Sequence, residues 1–158
     1  TVGRALSDQR QYADAARYLE EATRRSPRHA EGWIELGLLE VQAARDDRAL
    51  AALERAEALD PFNTRAANSL KLVREVRSWA RIENEHFIVR YNPDGTDGVL
   101  AREMIAPLDA MHRVVADAIR HEPRQKTIIE LLPDNRWFGV RITGMPGIHT
   151  VAASTGPV

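Results

Sequence analysis

One spacing of 34 residues recurs through the first half of this 158-residue chain. Six pairs of residues at this distance match in size and polarity. A fixed period of about 34 residues predicts a helix–turn–helix unit that stacks on the next copy of itself. Stacked units of this kind offer an extended curved surface to a partner. The six pairs are Val2/Leu36, Gly3/Gly37, Ala15/Ala49, Leu19/Leu53, Ala22/Ala56 and Pro27/Pro61.

The stretch 30–63 holds the complete form of the unit. Three small residues would let its two helices approach closely, three large apolar residues would fill the space beside them, and a proline would end the second helix. They are Gly37, Ala49 and Ala56, then Trp33, Leu36 and Leu53, and finally Pro61. This pattern resembles the tetratricopeptide repeat, with one departure at Glu40, where that family usually has an aromatic residue.

The preceding unit keeps the same positions, although its start is missing. Gly3 holds the register of its first helix, and Ala15, Leu19, Ala22 and Pro27 repeat the second. A final helix is predicted over 64–79, with Thr64 as its N-cap. We therefore expect about two and a half repeats in a module that spans residues 1–81.

The resemblance implies that a ligand would bind the concave face, which the first helix of each repeat lines. The side chains on this face carry both charges and several aliphatic groups. Two alternatives remain open: the module packs against a downstream domain of its own chain, or it binds a separate peptide or protein. The predicted residues are Arg4, Asp8, Glu31, Ile34, Leu38, Gln42, Arg65, Asn68 and Glu75.

The period changes after Arg81, and residues 82–158 predict a small sheet-bearing lobe. Alternation over 86–91 indicates a strand, and further strands are expected at Lys126–Leu132 and His149–Ser154. A long helix is expected from Asp97 to His121 with Pro107 inside it, and a short one over Arg136–Ile142, stopped by Gly144. One stripe of the long helix is expected to face the core: Leu100, Met104, Leu108, Met111, Val115, Ala118 and Ile119. The fold class is thus α+β, with helical hairpins before a partial sheet.

This second half resembles the amino-terminal part of bacterial peptidase-MA-like metallopeptidases of the gluzincin group. The matching segments are Glu85–Tyr91, the strand Ile128–Leu132 with Pro133-Asp134, Phe138, and Thr143–Gly147. The resemblance implies a fragment of a repeat-containing zinc peptidase that is inactive by itself. The alternative is a non-enzymatic adaptor whose second half is structural.

No catalytic residue of that family can be placed on this sequence. The enzymes need His-Glu-x-x-His on a helix, where two histidines bind zinc and the glutamate acts as general base. The nearest match, His121–Gln125, lacks the second histidine, and Pro123 would break the helix. We expect no cofactor in this chain, although zinc is possible in a full-length protein.

The histidines and carboxylates give no other predicted site. His112 and His121 are nine residues apart and point to opposite sides of one helix. His86 and His149 stand on separate predicted strands, so no metal site is expected. The carboxylates Glu103, Asp109 and Asp117 are expected to form a solvated helix face.

Composition narrows the classes of partner. The net charge is −1 and the two halves are each nearly neutral, so we expect neither nucleic acid nor anionic lipid as a partner. The chain has no cysteine, and no apolar run reaches the length of a membrane span. Such a chain suits the bacterial cytoplasm and the periplasm alike. It begins without methionine, and we expect it to be part of a longer protein.

Overall fold

The computed structural model describes residues 2–123, 125–147 and 153–154. The helices in this part of the chain are α1 (Val2–Asp8), α2 (Tyr12–Arg25), α3 (Ala30–Gln42), α4 (Asp46–Leu59), α5 (Thr64–Val76), α6 (Asp97–Ile119) and α7 (Asn135–Thr143). The strands are β1 (Ala80–Glu83), β2 (Phe87–Tyr91) and β3 (Thr127–Leu131). The predicted α+β class, with helical hairpins and a small sheet, is confirmed. The strand predicted at His149–Ser154 lies mostly outside the described residues.

The chain divides into two compact units. The first joins Thr1–Arg77 to the later segment Asp134–Gly156, and the second is built from Ser78–Pro133. Helix α7 therefore belongs to the helical unit, whereas the sequence places it with the sheet-bearing lobe.

The hairpins of the first unit pack through a contact between glycine and leucine that recurs at the repeat spacing. A Cβ atom at Gly37 in α3 would lie 2.6 Å from Cγ of Leu53 in α4. A Cβ atom at Gly3 in α1 would lie 2.6 Å from Cγ of Leu19 in α2. Both leucines are almost fully buried, so each glycine leaves just enough room for its leucine. The 34-residue period of the sequence therefore corresponds to a packing contact that is repeated in each hairpin.

Most residues predicted to pack the repeats are buried. Trp33 is half-buried between the two apolar clusters of the unit, and its Nε1 donates to the Pro27 carbonyl at 3.1 Å. Pro27 and Pro61 follow the ends of α2 and α4 and are themselves exposed. The prediction that Ala22 packs the repeats is wrong, because Ala22 is exposed and adds nothing to the core. The buried set is Gly3, Ala15, Leu19, Leu36, Gly37, Ala49, Leu53 and Ala56.

Glu40, which departs from the repeat pattern, is a buried carboxylate. Only 1% of its surface is exposed. Arg45 donates to its Oε2, and Nη2 of Arg48 lies 3.0 Å from its Oε1. A buried carboxylate needs such partners because removing its charge from water is costly. The ion pairs hold the end of α3 to the start of α4.

The end of the module differs from the prediction in two ways. The N-cap of α5 is Asn63 rather than Thr64, since the Asn63 side chain accepts a hydrogen bond from the Ala66 N–H at 3.1 Å. The helix ends at Val76, and residues 77–79, which were predicted to be helical, form the turn that leads to strand β1. Strand β1 is short, and its pattern of half-buried and exposed residues gave no strong apolar signal.

The second unit is a three-stranded sheet with one long helix. The strand order is β1-β2-β3, with β1 antiparallel and β3 parallel to β2. Register partners Arg90 and Glu130 form an ion pair of 3.2 Å across β2 and β3. The Asn84 side chain accepts from the N–H groups of His86 and Phe87 and donates to the Ile105 carbonyl of α6 at 3.0 Å. Asn84 therefore ties the turn before β2 to the helix.

Only part of the α6 stripe predicted to face the core is buried: Met104 and Leu108 are half-buried, and the other members of the stripe are exposed. Leu100, Met111 and Ile119 have 51%, 61% and 63% of their surfaces exposed. Met104 and Leu108 share the inward face with Ala101, Ile105, Asp109, His112 and Ala116. The inward face is therefore rotated from the predicted stripe by less than one residue, which corresponds to about 100°. The apolar pattern displaced the stripe because the inward face contains the polar side chains of Asp109 and His112.

Candidate interaction surface

Helix α7 lies against α3 and α5, the first helices of their repeats, within the helical unit. Asp134 caps its start by accepting from the N–H groups of Arg136 and Trp137, each at 2.9 Å. Gly144 ends it with a φ of 77°, a left-handed conformation that glycine adopts without steric cost. The predicted helix over Arg136–Ile142 and its stop at Gly144 are confirmed.

Side chains of α5 satisfy the last carbonyl groups of α7. Nε of Arg65 donates to the Thr143 carbonyl at 3.3 Å, and Nδ2 of Asn68 donates to the Gly144 carbonyl at 3.1 Å. Carbonyl groups at a helix C-terminus have no partner within their own helix. In the same way, Arg141 of α7 donates to the Val41 carbonyl near the C-terminal end of α3. The contact therefore pairs helix ends with cationic and amide donors, which the helix dipole favours.

Shape as well as hydrogen bonding holds α7 at this position. A Cβ atom at Gly144 would lie 3.2 Å from Cβ of Arg65 and 3.4 Å from its backbone. A Cβ atom at Gly139 would lie 2.7 Å from the Met145 carbonyl oxygen, so the chain after α7 folds back closely on the helix. Glycine is needed at both places because backbone atoms cannot move aside cheaply.

Glu35 is a residue on this surface that the sequence reasoning missed. Its side chain is 12% exposed and lies 3.8 Å from Arg4 of α1 and 3.9 Å from Arg65 of α5. Burial raises the pKa of its carboxyl group, while the two arginines oppose that shift. Glu35 follows Glu31 by four residues, so the helical period could have indicated it. It links the first helices of three successive units.

The nine residues predicted for the concave face fall into three groups. Arg65 and Asn68 contact α7, as described above. The prediction is wrong for Ile34 and Leu38. They are 3% and 8% exposed and belong to the core between α3, α4 and α5. The others are exposed or half-buried on the first helices: Arg4, Asp8, Glu31, Gln42 and Glu75. Whether they bind a partner remains a prediction.

A second cluster of polar side chains lies in the sheet-bearing unit, where no metal site was expected. His86 and His112 stack with ring centroids 4.0 Å apart, and Glu122 lies beside them. Asp109, predicted to be solvated, accepts from Nδ1 of His86 at 2.6 Å, and this hydrogen bond raises the pKa of His86. The sequence reasoning failed because the pairing depends on how α6 lies on the sheet.

The comparisons agree with the geometry of the first unit. Residues 3–64 match the family model of the tetratricopeptide repeat. These residues are similar to a tetratricopeptide repeat. It is also similar to a peroxisomal targeting signal receptor of Kluyveromyces lactis, with 32% identity over 60 residues. That alignment covers 38% of this chain and 11% of the relative.

Two further findings concern solved structures and membrane spans. No solved structure matches the chain significantly. None of the helices in the described part of the chain combines the length and the apolar character that crossing a membrane requires. A tetratricopeptide repeat suggests a protein partner.

Proposed function

We propose that the helices of residues 2–76 form a protein-interaction module. Its concave face, lined by the first helix of each repeat, holds a segment of the same chain, Asp134–Gly144, which we call the docking segment. The observation that carries this proposal is the pair of hydrogen bonds from Arg65 and Asn68 to the carbonyl groups of Thr143 and Gly144. Both donors were predicted for the ligand-binding face of the repeats. A segment of the same chain therefore takes the place of a separate peptide along α5.

Hydrogen exchange on the full chain tests this docking. We expect the amide groups of α7 to be protected, and Gly144→Val to accelerate their exchange by about tenfold or more. The reason is that a Cβ atom in the left-handed region costs about 1–2 kcal/mol and would press on Arg65. The protection of α3 and α4 should stay unchanged in the same sample.

The matched control is Arg74→Ala, which removes an exposed partner of Glu54 on another side of α5. This variant should leave the exchange of α7 as it is in the wild type. Rapid exchange of α7 in the wild type, or equal exchange in Gly144→Val and the wild type, would contradict the docking proposal.

A separate protein partner is the second candidate, with the exposed residues of α1 and α3 as its contact surface. Arg4, Asp8 and Glu31 are exposed on the first helices of their units. The similar yeast protein is by its name a receptor for a targeting signal, which supports recognition of a peptide as the class of activity. In binding assays with the full chain, Asp8→Arg with Glu31→Arg should abolish capture of a partner, whereas Glu54→Arg on α4 should preserve it. Equal capture by both variants would exclude this surface.

We also propose that the sheet-bearing unit is the front of a metallopeptidase domain for which the repeats are a docking module. The order β2-α6-β3 supports this, because the resemblance implied a strand, a long helix and a second strand in that sequence. The test is the gene downstream of the codon for Val158. It should encode His-Glu-x-x-His on a helix, followed by a glutamate on a later helix. A stop codon there, or an open frame without that motif, would favour the non-enzymatic adaptor.

A further inference from the structure

The topology of the second unit brings three metal-binding side chains to one end of the sheet. His86 directly precedes β2, and Glu122 lies in the connection that leads to β3. Because β2 and β3 are parallel, their starting ends are adjacent, and the Thr127 N–H donates to the His86 carbonyl at 2.8 Å. Helix α6 runs back towards this end, which places His112, in its last two turns, beside His86.

The ligand atoms of the cluster lie close to one another. One ligand atom each from His86, His112 and Glu122 falls within 4.8 Å of the other two. Oε1 of Glu122 is 2.7 Å from Nε2 of His112 and 3.9 Å from Nε2 of His86. The imidazoles are mostly buried, with 19% and 9% of their side chains exposed, whereas Glu122 is 61% exposed. One side of the cluster is therefore open to water.

Asp109 favours the tautomer of His86 that binding a metal through Nε2 requires. Its Oδ1 accepts from Nδ1 of His86 at 2.6 Å, so the proton of the neutral ring stays on Nδ1. Nε2 then keeps its lone pair free for a metal, and it lies 3.9 Å from Oε1 of Glu122. Histidine ligands of metals commonly have such a carboxylate on their other ring nitrogen. Phe87 packs edge-on against His112 and fixes the second ring.

We propose that His86, His112 and Glu122 form a binding site for a Zn²⁺-class divalent cation, with Asp109 as a positioning residue for His86. The site is separate from the His-Glu-x-x-His motif that the peptidase proposal expects elsewhere. It does not depend on the docking segment or on any partner of the repeats.

The donor set and the spacing favour zinc over hard cations. Two imidazole nitrogens and one carboxylate oxygen are typical zinc ligands, whereas Mg²⁺ and Ca²⁺ prefer oxygen ligands alone. Zinc bonds of about 2.0–2.2 Å at tetrahedral angles separate the ligand atoms by about 3.3 Å. The two distances from Glu122, 2.7 and 3.9 Å, lie on either side of this value. Rotation of the side chains would equalise them, and it would also turn the two rings out of their stacked arrangement so that one cation lies in both ring planes. The open side is left for a water ligand.

Titration of the full chain with Zn²⁺, followed by calorimetry, tests the site. We expect one equivalent to bind, and His86→Asn or His112→Asn to abolish this binding. Glu122→Gln should weaken it by at least about tenfold, and this exposed substitution leaves the stacked rings in place. The matched control is His121→Asn, adjacent to Glu122 but outside the cluster, which should bind as the wild type does.

A spectroscopic probe separates the positioning role of Asp109 from a structural one. Co²⁺ in the wild type should give the visible absorption of a tetrahedral site. Asp109→Asn should keep this spectrum while weakening Co²⁺ and Zn²⁺ binding by about 10–100-fold. Circular dichroism of each variant identifies those that fail to fold. No binding to the wild type, or wild-type affinity in folded His86→Asn and His112→Asn, would overturn the proposal.

Discussion

Replacement of Leu53 by alanine is expected to lower the free energy of unfolding of the helical unit by about 3–4 kcal/mol. Leu53 is fully buried, and it packs in one cluster with Ile34, Leu38 and Leu70. Truncation of a leucine in such a core removes its transfer free energy and leaves a cavity, which together cost about 2–5 kcal/mol. The effect should be in the upper half of this range because helices α3, α4 and α5 all contribute to the cluster.

Urea denaturation followed by circular dichroism measures this loss. The control is Phe62→Ala, which removes a larger side chain that is 90% exposed and should change stability by less than about 0.5 kcal/mol. Equal effects of the two substitutions would mean that the junction of α3 and α4 is not the core of the unit.

Arg45→Ala should be the second most damaging substitution, with a loss of about 2–3 kcal/mol. It removes one of the two cations that compensate the buried carboxylate of Glu40. Loss of one partner of a buried ion pair costs about 3–5 kcal/mol, and Arg48 stays within 3.0 Å to soften the effect.

The double variant Glu40→Leu with Arg45→Ala should recover stability to within about 1 kcal/mol of the wild type. Leucine removes the buried charge and restores an apolar residue at a position where the repeat pattern has an aromatic one. The same urea denaturation measures both variants. If Glu40→Leu/Arg45→Ala is no more stable than Arg45→Ala, the buried charge is not the source of the loss.

The repeat half was predictable because its determinants are local and periodic. A glycine opposite a leucine recurs at 34 residues, and the observed contacts of Gly3 with Leu19 and Gly37 with Leu53 follow from it. Helix ends were harder to place, as the cap at Asn63 rather than Thr64 illustrates. Asparagine and threonine are both good caps, so the choice depends on the backbone geometry.

The second unit was less predictable because its key contacts join residues that are distant in sequence. Helix α6 was found from its period, but its inward face contains Asp109 and His112 and is therefore weakly apolar. His86 meets these residues at a turn that Asn84 ties to the helix. The docking of α7 on α5 likewise joins residues that are 76 and 78 positions apart in the sequence. Hydrophobic periodicity reports local secondary structure and therefore does not predict such long-range pairings.

The repeated glycine–leucine contact builds the helical unit, and a double-mutant cycle between Gly37→Ala and Leu53→Ala measures this contact directly. The added methyl group needs the space that Leu53 fills, so the double variant should be at least about 1 kcal/mol more stable than the sum of the single effects predicts. The matched cycle of Gly3→Ala with Leu53→Ala, which places the methyl group against Leu19 instead, should be additive within about 0.5 kcal/mol. Additive effects in the Gly37 cycle, or equal coupling in both cycles, would contradict the account.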